Sequence, residues 1–261
     1  MKRALTIAGS DSGGGAGIQA DLKTFGAHGV YGTSAITALT AQNTRGVTGV
    51  YAVPAEFVTQ QIEAVAGDIG CDAVKTGMLA TATIVEAVAA AVESLELPNL
   101  VVDPVMIAKG GERLLDEDAV HALRATLLRW ARVVTPNIPE AEVLAGMTIT
   151  SLDDMRNAAS RILKLGPQSV IVKGGHLATP EATDLLVWSA GEVQLSARRL
   201  DVRNTHGTGC TFSAAIAARL ARGEPLDEAA RGAKEYVTGA MQYGIDVGSG
   251  HQPLGHFWQN P

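Results

Sequence analysis

The chain is poor in aromatic residues, and this scarcity already describes its core. Phe, Trp and Tyr make up only 4% of the 261 residues, whereas 46% are hydrophobic. The interior is therefore built from Ala, Val, Leu and Ile, a composition that suits helices packed on a parallel sheet. The length leaves room for one large α/β unit or two small ones, and the composition favours a single domain over 1–261. Cysteine is scarcer still: Cys71 and Cys210 stand far apart with no CxxC, which excludes a disulfide framework or a cysteine zinc site. That usage points to a reducing, cytoplasmic compartment. Basic residues are not in excess either, and a net charge of -6 provides no general attraction to nucleic acid or anionic membrane. A phosphate ligand would need a local site. Glu93 and Glu96 break the Ala/Val stretch at 84–102, so no run of 18 apolar residues exists, and the stretch at 4–8 is too short for a signal-peptide core.

What the chain does contain is a regular alternation. Short β-branched runs at 4–8, 73–75, 100–102, 133–134 and 170–173 read as buried strands. Helices are predicted between them at 17–28, 54–67, 81–94, 117–129 and 151–164, the last with Ser151 as N-cap. After Lys173 the pattern changes. Runs at 185–188 and 193–197 flank Ala190-Gly191-Glu192 and predict an antiparallel hairpin, so the sheet is mixed. Helices at 208–222 and 226–243 follow, separated by Gly223-Glu224-Pro225.

The segment Asn204-Thr205-His206-Gly207-Thr208-Gly209-Cys210-Thr211 runs directly into an apolar helix. Glycines let backbone approach an anion, and the free N–H groups of a helix start favour negative charge there. The same residues also suit a plain turn before a helix, so other motifs must decide. A Walker A loop is excluded, because Val74 precedes Lys75-Thr76 where the second glycine must stand. Gly15-Ala16-Gly17-Ile18-Gln19-Ala20 fits the loose dinucleotide pattern, yet no acid lies between Leu22 and Ala55 to hold a ribose. Gly13 to Gly17 is then either a loop shaping a pocket or an ordinary tight turn.

Five more segments follow plausible strands: Thr40-Ala41-Gln42-Asn43-Thr44, Lys75-Thr76-Gly77-Met78-Leu79, Asp103-Pro104-Val105-Met106, Thr135-Pro136-Asn137-Ile138-Pro139-Glu140 and Val172-Lys173-Gly174-Gly175-His176. In an open α/β sheet these gather along the carboxyl edge, where ligands bind. Together with the Gly207 turn and Gly9-Ser10-Asp11-Ser12-Gly13-Gly14-Gly15-Ala16-Gly17, in this order, they resemble the hydroxymethylpyrimidine/phosphomethylpyrimidine kinases of thiamine biosynthesis, within the ribokinase-like superfamily. The resemblance runs from about 4 to 220. It implies an α/β, three-layer αβα fold and the use of ATP and Mg²⁺. The implied substrates are 4-amino-5-hydroxymethyl-2-methylpyrimidine and then its monophosphate, and a homodimer is implied too.

The resemblance also assigns roles residue by residue. Gln42 contacts the pyrimidine, and one amide with donors and an acceptor complements an aminopyrimidine edge; an exposed turn Gln is the plain alternative. Met78 and Val105 supply apolar faces for the ring, although both types serve equally well as core. Gly9 and Asp21 fall on the substrate side. Asp103, Asn137 and Glu140 are associated with ATP and Mg²⁺, with water-mediated contact in view and no direct protein ligand to the metal. Asn137 and Glu140 also have the spacing of a helix capping box. Lys173 reaches the phosphates or is a solvated lysine at a strand end. His206 adjoins the turn, within reach of a phosphate. Gly207, Thr208 and Gly209 provide backbone N–H groups for the transferring phosphoryl group. Cys210 departs from the wider superfamily, which commonly has Asp there as base; the pyrimidine kinases have Cys. A helix N-terminus is expected to lower its pKa and supply thiolate. The rivals are a pyridoxal or pyridoxine kinase of the same superfamily, against which Cys210 speaks, and a non-catalytic pyrimidine-binding sensor.

Overall fold

The structure is a computed structural model and describes residues 1–107, 115–177 and 181–259. The first half comprises β1 (Arg3–Ala8), α1 (Gly17–Ala27), β2 (Tyr31–Ile36), β3 (Ala38–Asn43), β4 (Gly46–Ala52), α2 (Ala55–Ala64), β5 (Ala73–Thr76), α3 (Ala82–Ser94) and β6 (Leu100–Val102). Then come α4 (Glu117–Ala122), β7 (Val133–Val134), α5 (Ile138–Ala145), α6 (Leu152–Leu163), β8 (Ser169–Val172), β9 (Glu181–Trp188), β10 (Gly191–Arg198), β11 (Asn204–His206), α7 (Thr208–Ala221), α8 (Leu226–Gln242) and β12 (Gln252–Pro253). The main sheet has the order β10-β9-β8-β7-β6-β5-β1-β2. β2 to β8 within it are parallel, and β9 and β10 form an antiparallel edge hairpin.

The near-continuous apolar strands follow from burial on both faces. Val102, Val134 and Val172 pack toward the layer containing α2 to α6, while the alternate residues Val101, Val133 and Ile171 pack toward α7 and α8. The second layer is lined by Ala214, Ala215, Ala217 and Ala218 of α7. Small side chains on that helix allow a close seat on the sheet, which is why the core needs so few aromatics. No helix among the described residues is long and apolar enough to cross a membrane.

The expected strands and helices are present with shifted ends. The hairpin turns at Ser189-Ala190, one residue before the predicted turn, and Gly191 already pairs with Trp188. The region after α4 continues as a wider π-type turn at Leu123–Leu127. Strand β2 is new: Gly32, Thr33 and Ser34 give it no β-branched apolar run, and as an outer strand it is only half covered. The antiparallel pair β3–β4 is also new, so Thr40 to Asn43 belong to a strand of a separate two-stranded sheet. Exposure of β4 removes the apolar alternation by which strands are recognised.

Candidate active site

The strands β1, β5, β6, β7 and β8 end on one edge, and Gly9, Met78, Asp103, Asn137 and Lys173 follow them there. These residues line a cavity of about 1300 Å³, with Val105, Glu140 and Gln42 of β3. The first turn of α7 adds Gly207, Thr208, Gly209 and Cys210. Of the candidate residues only Asp21 is not among those lining the cavity.

The turn before α7 requires its glycines. Gly207 has φ 82°, and a Cβ there would overlap the carbonyl oxygen of Gly15. A Cβ on Gly209 would lie 3.2 Å from Lys173 Nζ. The two glycines thus press the turn against the N-terminal loop on one side and a cation on the other. No side chain caps α7, and the N–H groups of its first three residues have no acceptor within the helix. This is an uncapped, positively polarised helix start facing the cavity.

Lys173 Nζ donates to Asp103 Oδ1 at 3.0 Å; the Asp103 side chain is buried and that of Lys173 is partly exposed. Asp103 also accepts from the hydroxyl of Thr135 at 3.3 Å, and the Ser213 hydroxyl lies 3.3 Å from its other oxygen. Asn137 and Glu140 form the predicted capping box: Glu140 N–H donates to Asn137 Oδ1 at 2.9 Å, and Asn137 N–H donates to Glu140 Oε2 at 2.8 Å. Burial pushes the Glu140 carboxyl up to about 7; the Lys173 ammonium opposes this and the Asp103 carboxylate adds to it. A carboxyl raised on folding stabilises the fold when protonated. That contribution is full below its unfolded value near 4.5 and is lost as pH rises through about 7. Glu140→Gln is therefore expected to flatten stability over this window, removing on the order of 3 kcal/mol of pH dependence in urea melts. An unchanged slope would assign the titration to another group.

Cys210, in the first turn of α7, lines the same cavity. Burial pushes its thiol up to about 11; the Lys75 ammonium works against the rise, and the Asp21 and Asp103 carboxylates add to it. Gly17 N–H also donates to it. The lowering expected from the helix start is outweighed, because desolvation of a thiolate costs more than one set of backbone dipoles returns. Lys75 itself is fully buried, with Nζ 3.0 and 2.8 Å from the two carboxylate oxygens of Asp21. Burial opposes its charge, but the Asp21 carboxylate reverses this and holds Lys75 above the ordinary lysine value. Asp21 therefore acts one layer behind the cavity wall, through Lys75, which lines it.

A matching family model, described as phosphomethylpyrimidine kinase, covers residues 11–255. The hydroxymethylpyrimidine/phosphomethylpyrimidine kinase of Bacillus subtilis is 50% identical over 258 residues, covering 98% of this chain and 94% of that one. The chain belongs to the phosphomethylpyrimidine kinase family. The crystal structure of a family member from Clostridium difficile matches this kinase with TM-score 0.81 and 46% identity, covering 91% of this chain and 98% of that one. An ADP complex of Bacillus subtilis pyridoxal kinase matches it with TM-score 0.92 and 41% identity over 98% and 97% of the two chains.

The kinase also contains site residues that sequence reasoning did not single out. Asp11 is buried and accepts from the N–H groups of Gly13, Gly15 and Ala16 at 2.8, 3.0 and 2.8 Å. An acid two residues before a glycine run is the signal for such a turn. His206, expected near phosphate, turns its Nε2 to Asp11 Oδ2 at 2.8 Å. On another side of the cavity Lys234 Nζ donates to Asp184 Oδ2 at 2.8 Å, a pair joining α8 to the edge hairpin with no local sequence signature.

Proposed function

We propose that this kinase transfers the γ-phosphoryl group of ATP to the hydroxymethyl oxygen of 4-amino-5-hydroxymethyl-2-methylpyrimidine, and then transfers a second to the monophosphate, giving the diphosphate for thiamine biosynthesis. The observation that carries this reading is the shared cavity wall on which the uncapped start of α7, the Lys173–Asp103 pair and Cys210 meet, with Gln42 in the same cavity. In the first step the hydroxymethyl oxygen bonds to phosphorus, the bond to the β-phosphate oxygen breaks, and the hydroxyl proton passes to the Cys210 thiolate. In the second the nucleophile is a phosphate oxygen already ionised at neutral pH, so no base is needed. The N–H groups of Gly207 to Cys210 and the Lys173 ammonium stabilise the negative charge on the transferring group. Gln42 holds the aminopyrimidine edge, Gly9, Met78 and Val105 border the ring, and Asp21 supports this side through Lys75.

Among the described residues no three metal-ligating side chains gather, and the oxygens of Asp103 and Glu140 already accept hydrogen bonds. Two carboxyl groups lining the cavity nevertheless suit a hydrated Mg²⁺ met through water, since Mg²⁺ prefers oxygen ligands and keeps several waters. Asp103, Asn137 and Glu140 would hold it there, and Mg²⁺ would neutralise phosphate charge.

Product analysis with ATP and either pyrimidine tests the reading: both phosphorylated products are expected, and turnover of neither overturns it. The second reading, a pyridoxal kinase, draws on the 0.92 TM-score to the Bacillus subtilis enzyme of that name. Pyridoxal as sole good acceptor would select it. No acceptor-dependent ATP turnover would leave the binding sensor.

The active form is a cytoplasmic homodimer, supported by free cysteines and by the exposed Tyr31, Leu39, Val50, Tyr51 and Phe57 on and around the β3–β4 flap. Light scattering is expected to give the mass of two chains, and Tyr51→Arg to shift it toward one. A monomeric wild type would rule the dimer out.

A further inference from the structure

Gln42 is the polar group that the proposed function assigns to the pyrimidine edge, and it touches two neighbours. Its side-chain nitrogen is placed 3.4 Å from His206 Nε2, and its side-chain oxygen 3.2 Å from Thr40 Oγ1. Both contacts conflict with the protons available. Asp11 accepts three backbone N–H groups, so it is a carboxylate and only accepts. Burial opposes this ionisation, but His206 and the backbone donors prevail and hold Asp11 below the usual range. His206 Nε2, at 2.8 Å from Asp11 Oδ2, must then carry the proton and donate it. A nitrogen of Gln42 facing that N–H would set donor against donor. At the other end, the single Thr40 hydroxyl proton is committed to the Ser10 carbonyl at 2.8 Å and cannot also serve Gln42.

Exchanging the oxygen and nitrogen of the Gln42 amide, two atoms of nearly equal shape, resolves both conflicts. The oxygen then accepts from His206 Nε2–H, shared with Asp11, and the nitrogen donates to Thr40 Oγ1. The ring of His206 lies directly on the backbone of Gly15, where a Cβ would meet it at 2.5 Å, so the glycine is what admits the ring beside Asp11. We propose that Asp11 and His206 are positioning residues that lock the direction of the Gln42 amide and so select the acceptor by the hydrogen-bond pattern of its ring edge.

With the amide locked, one N–H and one oxygen lone pair remain in fixed places for the substrate. A 4-amino edge offers an amine donor and a ring-nitrogen acceptor; a 4-oxo edge offers the reverse and would require the amide to turn against His206 and Thr40. Removing the lock removes that cost. His206→Leu is expected to raise KM for the aminopyrimidine about tenfold with kcat changed less than about threefold, and to shrink the preference for the amino over the oxo acceptor about tenfold. His206→Gln, whose amide nitrogen reaches the position of Nε2 and can still donate toward Asp11 and Gln42, is expected to restore part of the preference. A loss confined to kcat, or an unaltered preference in a folded variant, overturns the proposal. Side-chain ¹⁵N spectra of the wild-type protein test the same lock without substrate: His206 must carry its proton on Nε2, and an Nδ1–H tautomer overturns the lock. Failure of the wild type to phosphorylate the pyrimidine would instead refute the proposed function, leaving the tautomer result to stand for itself.

Discussion

Cys210→Ala is expected to slow phosphorylation of the alcohol by two to four orders of magnitude, roughly the contribution of a general base, while phosphorylation of the monophosphate changes by less than about threefold. The alcohol must lose a proton and the phosphate need not. The wild type adds a second signature, because burial raises the Cys210 thiol to about 11. Thiolate then rises about tenfold per unit from pH 6 to 9, and single-turnover rates of the alcohol step should rise with it while the phosphate step stays nearly flat. Equal losses in both steps would reassign Cys210 to orienting the transferring group. A plateau near pH 7 would mean that the thiol is activated as the helix start alone suggests.

Removing Asp21 is expected to cost the fold about 3–5 kcal/mol, a large share of the stability of a typical domain, because Asp21→Ala leaves the Lys75 ammonium buried without a partner. Neither side chain has any exposed surface. Thr6 donates to Asp21 Oδ2 at 2.6 Å, so the pair sits in a closed polar node under the cavity floor. The double variant Asp21→Asn, Lys75→Met keeps an acceptor for Thr6 and removes both charges, and urea midpoints should recover to within about 1–2 kcal/mol of wild type. Catalysis should not recover with stability. The Lys75 ammonium lowers the thiol by more than the Asp21 carboxylate raises it, so losing both charges leaves Cys210 harder to ionise and the alcohol step slower. A fully active double variant would show that Lys75 serves only the fold.

Several parts of the site could be read locally. The capping box of Asn137 and Glu140 is a matter of three-residue spacing and is present as predicted. The turn at Gly207 was recognisable from two glycines before an apolar run, although the reason that Gly207 cannot carry a side chain is the Gly15 carbonyl, almost two hundred residues away. Lys173 and Asp103 were each visible as polar residues at strand ends, but their pairing follows from β6 and β8 flanking β7 in the sheet. Asp21 was placed with the substrate by resemblance, and the structure places it behind Lys75.

The alternation of apolar strands and helices, the order of the edge motifs and the family are legible in the chain alone, since they depend on residue type and spacing. Tertiary structure decided what each edge residue faces. Strand β2 and the β3–β4 flap lack a local signal because their coverage comes from other segments or is missing. The high thiol of Cys210, the carboxyl of Glu140 near 7 and the link from Asp11 through His206 to Gln42 all arise from burial and from contacts between distant segments. Desolvation and hydrogen-bond direction depend on which groups meet in space, and spacing along the chain does not specify that.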